Sequence, residues 1–112
     1  MLLTNGAICH SILKSDKSLF IVNVVTSYTS DHAAIRVVKS EYFLIQNVVL
    51  EKLFVGIYIE KSKNGRIYNN KVIGDAQDEY NSGNGIQLWY SKNVVVSHNI
   101  VQKVRDGIYL EF

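Results

Sequence analysis

The sequence predicts an all-β fold, a right-handed single-stranded parallel β-helix of about four rungs. Three observations point there. A strand-opening unit recurs as Ala34-Ile35-Arg36-Val37, Gly56-Ile57-Tyr58-Ile59, Gly85-Ile86-Gln87-Leu88 and Gly107-Ile108-Tyr109-Leu110, at intervals of 22, 29 and 22 residues. Within each unit the side chains alternate with period 2, the period of a strand rather than a helix. A serine follows the first three openings by six residues, as Ser40, Ser62 and Ser91. Markers in phase at this period describe a coil whose rungs stack at the strand spacing of a sheet, ~4.8 Å. A leucine-rich repeat has a similar period but needs a Leu scaffold and a helical segment. This chain carries β-branched and aromatic residues instead, which suit strands.

Taken in order, residues 1–30 read as an irregular first rung, in which only Gly6-Ala7-Ile8 resembles a strand opening. Thr26 to His32 lengthens the first corner. Residues 31–112 carry the clear repeats, and the whole chain 1–112 reads as one domain. Ile35, Ile57, Ile86 and Ile108 are expected to point inward and stack, as are Val37, Ile59, Leu88 and Leu110. No rung can bury this face alone, so neighbours must stack. Asn23, Asn47, Asn70 and Asn99 are expected to form a ladder at a bend, with Gly, Ser and Asn at the corners. Gly74 to Asn84 accounts for the longer interval as an insertion of about seven residues at one corner, and solenoid insertions gather on one face. The absence of proline fits strands that need every N–H. The chain stops inside the repeat at Leu110-Glu111-Phe112, so the expectation is a fragment, truncated at its C-terminus, of a longer protein.

Composition narrows the function. A formal charge of +2 is too balanced for a nucleic-acid partner. No apolar run approaches the ~18 residues of a membrane span. The single Cys9 excludes an intramolecular disulfide framework. No basic and then apolar leader is visible at the start.

Two groups of residues are candidate sites. Asp75, Asp78, Glu79 and Tyr80 in the inserted loop could hold a cation or supply a carboxylate pair, but they lack the spacing of a calcium loop. The outward positions of the repeated strand form two columns, Arg36-Tyr58-Gln87-Tyr109 and Val38-Glu60-Trp89-Glu111. From these, Tyr58, Glu60, Gln87, Trp89, Tyr109 and Glu111 make a candidate binding surface for a sugar ring or a protein partner. Metal-ligand types occur at Met1, Cys9, His10, His32 and His98. They form no ligand pattern, so no metal site and no catalytic residue is assigned. Glu60 and Glu111 share a column two rungs apart, roughly 9–10 Å, with Trp89 between them. That spacing keeps a polysaccharide lyase or epimerase as the second reading, although no Arg or Lys ladder is expected beside the pair.

The segment GNGIQLWYSKNVVVSHNIVQKVRDGIYLEF, preceded by VGIYIEKSKNGRIYNNKVIG, resembles the NosD family over roughly Asp31 to Phe112. The distinctive parts are the insertion leading into Gly83-Asn84-Gly85-Ile86-x-Leu88-Trp89 and the Arg105-Asp106-Gly107-Ile108 step one rung later. The resemblance implies a non-catalytic periplasmic β-helix that assists copper-site maturation of nitrous oxide reductase. It also implies that reductase and an ATP-binding-cassette transporter as partners, with copper entering only through the family.

Overall fold

The computed structural model describes residues 2–3, 12–14, 19–21, 33–76 and 82–112. Every regular element in them is a strand: β1 (Leu2–Leu3), β2 (Ile12–Lys14), β3 (Leu19–Ile21), β4 (Ala33–Val38), β5 (Phe43–Gln46), β6 (Val49–Leu53), β7 (Val55–Glu60), β8 (Lys63–Tyr68), β9 (Lys71–Gly74), β10 (Ile86–Trp89), β11 (Lys92–Ser97), β12 (Ile100–Gln102) and β13 (Ile108–Glu111). They form three sheets, β2-β4-β7-β10-β13 (sheet I), β1-β3-β5-β8-β11 (sheet II) and β6-β9-β12 (sheet III). All described strand pairings are parallel. Successive strands pass from sheet I to II to III and back. Three coils, β4 to β6, β7 to β9 and β10 to β12, are therefore complete, and β13 opens the next. This is the parallel β-helix that the repeat predicts, with three faces around one lumen.

The inward ladder follows the expected register. Ile35 pairs with Ile57, Ile57 with Ile86 and Ile86 with Ile108, while Val37, Ile59, Leu88 and Leu110 align beside them. Ile35, Ile57 and Ile86 are fully buried. Sheet II adds Ile45, Ile67 and Val96, and sheet III adds Leu50, Val72 and Val101. Each such side chain contributes about 1.5–3 kcal/mol when fully buried, so the lumen is the main source of stability.

Glycine placement answers to space in this lumen. A methyl group at Gly65 would run into the ring of Phe43, which fills the room the glycine leaves in the next coil. Gly65→Ala is expected to cost about 1–3 kcal/mol through overpacking. A Phe43→Leu background should recover most of that loss in a denaturant-unfolding cycle, because the clash is with one side chain. At Gly56 the obstacles are the Gly85 carbonyl oxygen and the Val72 side chain, and at Gly85 they are the Val101 side chain and the Gly107 carbonyl oxygen. Backbone of the following coil cannot move aside, so these two coils require glycine where the first coil carries Ala34.

The other corners differ from expectation. Left-handed backbone is carried by Lys39, Lys61 and Tyr90 between sheets I and II, and by Asn47, Asn69 and His98 between II and III. Outside asparagine this conformation costs about 1–2 kcal/mol per residue. Hydrogen bonds between coils offset it. Lys39 and Lys61 donate N–H to the carbonyls of Glu60 and Trp89, and Asn47 and Asn69 donate to those of Tyr68 and Ser97.

Polar ladders close two corners. Ser62 Oγ accepts the Ser40 N–H at 3.0 Å and donates to the Glu60 carbonyl at 2.9 Å. Ser91 Oγ repeats the pattern with the Ser62 N–H and the Trp89 carbonyl. The recurrent serines are corner ties, as their phase indicated. The asparagine ladder is real but displaced by one residue at its start. Asn70 Oδ1 accepts the N–H of Val48, not of Asn47, and Asn99 Oδ1 accepts the N–H of Asn70. Asn47 lies on the exposed neighbouring column, where it accepts from Asn69 Nδ2 at 2.6 Å. The coil repeat is 22 residues, so the interval of 23 from Asn47 to Asn70 puts them out of step. Asn23 lies outside the described residues.

Candidate functional site

Sheet I presents its outward side chains in the two expected columns. Arg36, Tyr58, Gln87 and Tyr109 are consecutive partners, as are Val38, Glu60, Trp89 and Glu111. The surface that results is uneven. In its first half the groups satisfy one another. Arg36 Nη2 meets Glu60 Oε2 at 2.9 Å, and the Arg36 guanidinium lies over the Tyr58 ring at 5.4 Å. Val38 is buried, 8% exposed, so this column does not begin as open surface.

Tyr58 carries the electrostatic signature of the arrangement. Burial, chiefly, pushes its hydroxyl pKa above the ordinary value of 10.0. The negative charges of Glu60 and Glu111 add to the rise, and Arg36 opposes it. A raised folded-state pKa means that the native state holds the proton more tightly than the unfolded chain. This contribution to stability is complete below 10.0 and is lost as pH rises through the folded value. In unfolding experiments across the alkaline range, Tyr58→Phe should therefore lose less stability than the parent chain. Parallel curves would contradict the assignment.

The second half of the face is more open. Trp89 is half-buried, with Lys61 Nζ 5.1 Å from its ring centroid and Tyr90 edge-on at 5.1 Å. Tyr109 is 40% exposed, and Glu111 is exposed. Gln87 Oε1 accepts from Asn84 Nδ2 at 3.1 Å, and Asn84 Oδ1 accepts from Arg105 Nη2 at 3.2 Å. Of the six surface residues named from sequence, Tyr58 and Glu60 are thus engaged within the face, while Trp89, Tyr109 and Glu111 are offered outward.

The inserted loop sits at the corner from sheet III to sheet I. Its ends are tied down by Ala76 N–H to the Lys103 carbonyl at 3.1 Å and by Arg105 N–H to the Gly83 carbonyl at 2.8 Å. Asp75 is exposed. Asp78, Glu79 and Tyr80 lie outside the described residues. The loop reaches the face at Gln87.

Trp89 neighbours a lysine-lined corner. Lys39 and Lys61 occupy equivalent left-handed positions, and Lys63 pairs in register with Lys92. The sequence expectation of no Arg or Lys ladder concerns the Glu60–Glu111 pair, and these lysines stand at the corner instead. The signal was present: each serine marker has a lysine beside it, in Lys39-Ser40, Lys61-Ser62-Lys63 and Ser91-Lys92. Sequence alone does not group these lysines, because a corner side chain has no fixed inward or outward assignment until the coils are stacked.

Among the described residues, no three His, Cys, Asp or Glu side chains gather as a metal site. His98 stands at the corner between sheets II and III with its ring edge-on to Tyr68 at 5.1 Å. Met1, Cys9, His10 and His32 lie outside the described residues. No described helix is long and apolar enough to cross a membrane.

No curated protein and no solved structure matches the chain in sequence and structure comparisons. A family match, by contrast, covers residues 4–112 and so reaches well into the irregular first rung, beyond the Asp31 boundary of the motif resemblance. With the parallel coil, the phased GNGIxLW and RDGIY units and this match in agreement, the chain belongs to the NosD family, described as periplasmic copper-binding protein (NosD).

Proposed function

We propose that this chain is a non-catalytic accessory module that assists copper-site maturation of nitrous oxide reductase by docking a protein partner on the outward face of sheet I. The observation that carries the reading is the division of that face. Arg36, Tyr58 and Glu60 form a closed, self-satisfied patch, whereas Trp89, Tyr109 and Glu111 align on neighbouring strands as two outward aromatic rings beside a carboxylate. Aromatic side chains flanked by charge are the residue types that anchor protein interfaces. Membership of the NosD family supports the link to copper and to the periplasm. The reductase is the proposed partner, working beside an ATP-binding-cassette transporter.

The described residues do not themselves fit a copper site. Cu(I) favours thiolate and thioether donors, and imidazole suits Cu(II). The chain has one cysteine and one methionine, both outside the described residues, and His98 stands alone at its corner. In this reading copper is the cargo of the assembly, and this face recognises the apo-reductase.

The test is a cell making nitrous oxide reductase with this protein carrying Trp89→Ala and Tyr109→Ala. Both positions are at least partly exposed, so the coil should fold. The reductase isolated from such cells should be exported normally but contain several-fold less copper. Full copper content in a strain that needs this protein for reductase activity would sink the reading.

A further inference from the structure

The corner between sheets I and II holds a groove of about 430 Å3, lined by Lys39, Lys61, Lys63 and Lys92 together with Glu41 and Tyr90. Its volume lies within the range of small-ligand sites, ~300–1,000 Å3. Two of these lysines have partners within the fold, Lys61 over the Trp89 ring and Lys63 beside Glu41. Lys63 and Lys92 are direct partners on adjacent parallel strands, and like charges so placed are destabilising. Lys39 and Lys61 occupy left-handed backbone, φ 48° and 50°, where asparagine is better suited. Four ammonium groups meet one lining carboxylate, Glu41, which lies 3.7 Å from Lys63 Nζ. The groove therefore carries excess positive charge, four ammonium groups to one carboxylate.

One wall is aromatic. Tyr90 is 60% exposed, also in left-handed backbone, and it abuts Trp89 edge-on. The backbone is not available for recognition. The N–H groups of Lys39, Lys61, Lys63, Tyr90 and Lys92 are all bonded to carbonyls of adjoining coils, and Ser62 Oγ is held by the Ser40 N–H and the Glu60 carbonyl. A peptide strand would find no free edge to join. A flat anionic membrane would meet lysines that converge on a groove instead of spreading over a plane. What the groove offers is point positive charge beside an exposed ring.

We propose that this corner binds an acidic saccharide, with the ammonium groups of Lys39, Lys61, Lys63 and Lys92 holding sugar carboxylates and the Tyr90 ring against the apolar face of a pyranose. This site adjoins the open face at Trp89, which Lys61 and Tyr90 both touch, but its lining includes neither Tyr109 nor Glu111 and it does not depend on the reading of that face.

Calorimetric titration of the full chain with trigalacturonate tests it, with maltotriose, oligoglutamate of equal charge and vesicles containing phosphatidylglycerol as comparisons. Trigalacturonate should bind, weaken as salt is raised, and exceed all three comparisons. Lys39→Asn with Lys61→Asn should cut its affinity at least about tenfold, the scale of charge-assisted hydrogen bonds. Tyr90→Asn should cost about threefold or more, the scale of an aromatic contact. Asparagine suits the left-handed backbone at all three sites, so the variants should fold, and circular dichroism checks this. Equal binding of maltotriose would overturn the role of charge, and equal binding of oligoglutamate would overturn the role of the sugar. Preference for the vesicles, absence of trigalacturonate binding, or unchanged affinity in the folded lysine variant would overturn the proposal outright.

Discussion

Ile57→Ala should lower the unfolding free energy of the chain by roughly 2–5 kcal/mol, the range for large-to-small changes at buried aliphatic positions. Ile57 is fully buried, and its register neighbours Ile35 and Ile86 are fully buried too. Collapse around the missing atoms is resisted, because the surrounding strands are held at the spacing of their ladder hydrogen bonds. The cost should therefore fall in the upper part of the range. Ile108 occupies the same place in the repeat but is 53% exposed, so Ile108→Ala should cost about 1 kcal/mol or less. Urea-unfolding midpoints of the two variants make the comparison. Since small domains are stable by only ~5–15 kcal/mol, the first change should produce an obvious shift. Equal losses at the two sites would show that burial in the stack is not what sets the energy.

Asn70→Ala is expected to be comparably damaging for a different reason. Asn70 is 2% exposed. Its Oδ1 accepts the Val48 N–H at 3.0 Å, and its Nδ2 donates to the Ile45 carbonyl at 3.1 Å. Truncation leaves both backbone groups buried without these partners, at about 1–3 kcal/mol each. A total of about 2–6 kcal/mol follows. The control is Asn47→Gly, which removes an exposed amide while keeping left-handed backbone accessible, and should stay within about 0.5 kcal/mol. Thermal or urea unfolding of both variants separates the true ladder from the alignment by Asn-Val-Val alone. A large loss at Asn47 with a small one at Asn70 would reverse the assignment.

The Gly-Ile and Ser markers recur at the coil length itself, so Ile35, Ile57 and Ile86 and then Ser40, Ser62 and Ser91 could be aligned without coordinates. Asn47 was misplaced because several asparagines crowd the same corner. Asn69 and Asn70 are adjacent, and only backbone register says which of them continues from the coil before. The surface columns were legible for the same reason as the core, since period 2 assigns both faces of a strand at once. Their chemistry was not. The ion pair of Arg36 with Glu60 and the contact of Lys61 with Trp89 join residues 24 and 28 positions apart, and those contacts decide which side chains remain free.

By itself, then, the sequence determined the parallel coil, the inward ladder, the serine corner ties and the NosD resemblance, because each is a local pattern repeated at one period. The tertiary structure decided the partner of Asn70, the closure of the Tyr58 patch, the tie of Asn84 to Gln87 at the end of the inserted loop, and the gathering of four lysines at one corner. Most of those depend on which residues become neighbours across coils at ~4.8 Å. At corners, where the strand alternation lapses, only the stacked backbone fixes where a side chain points.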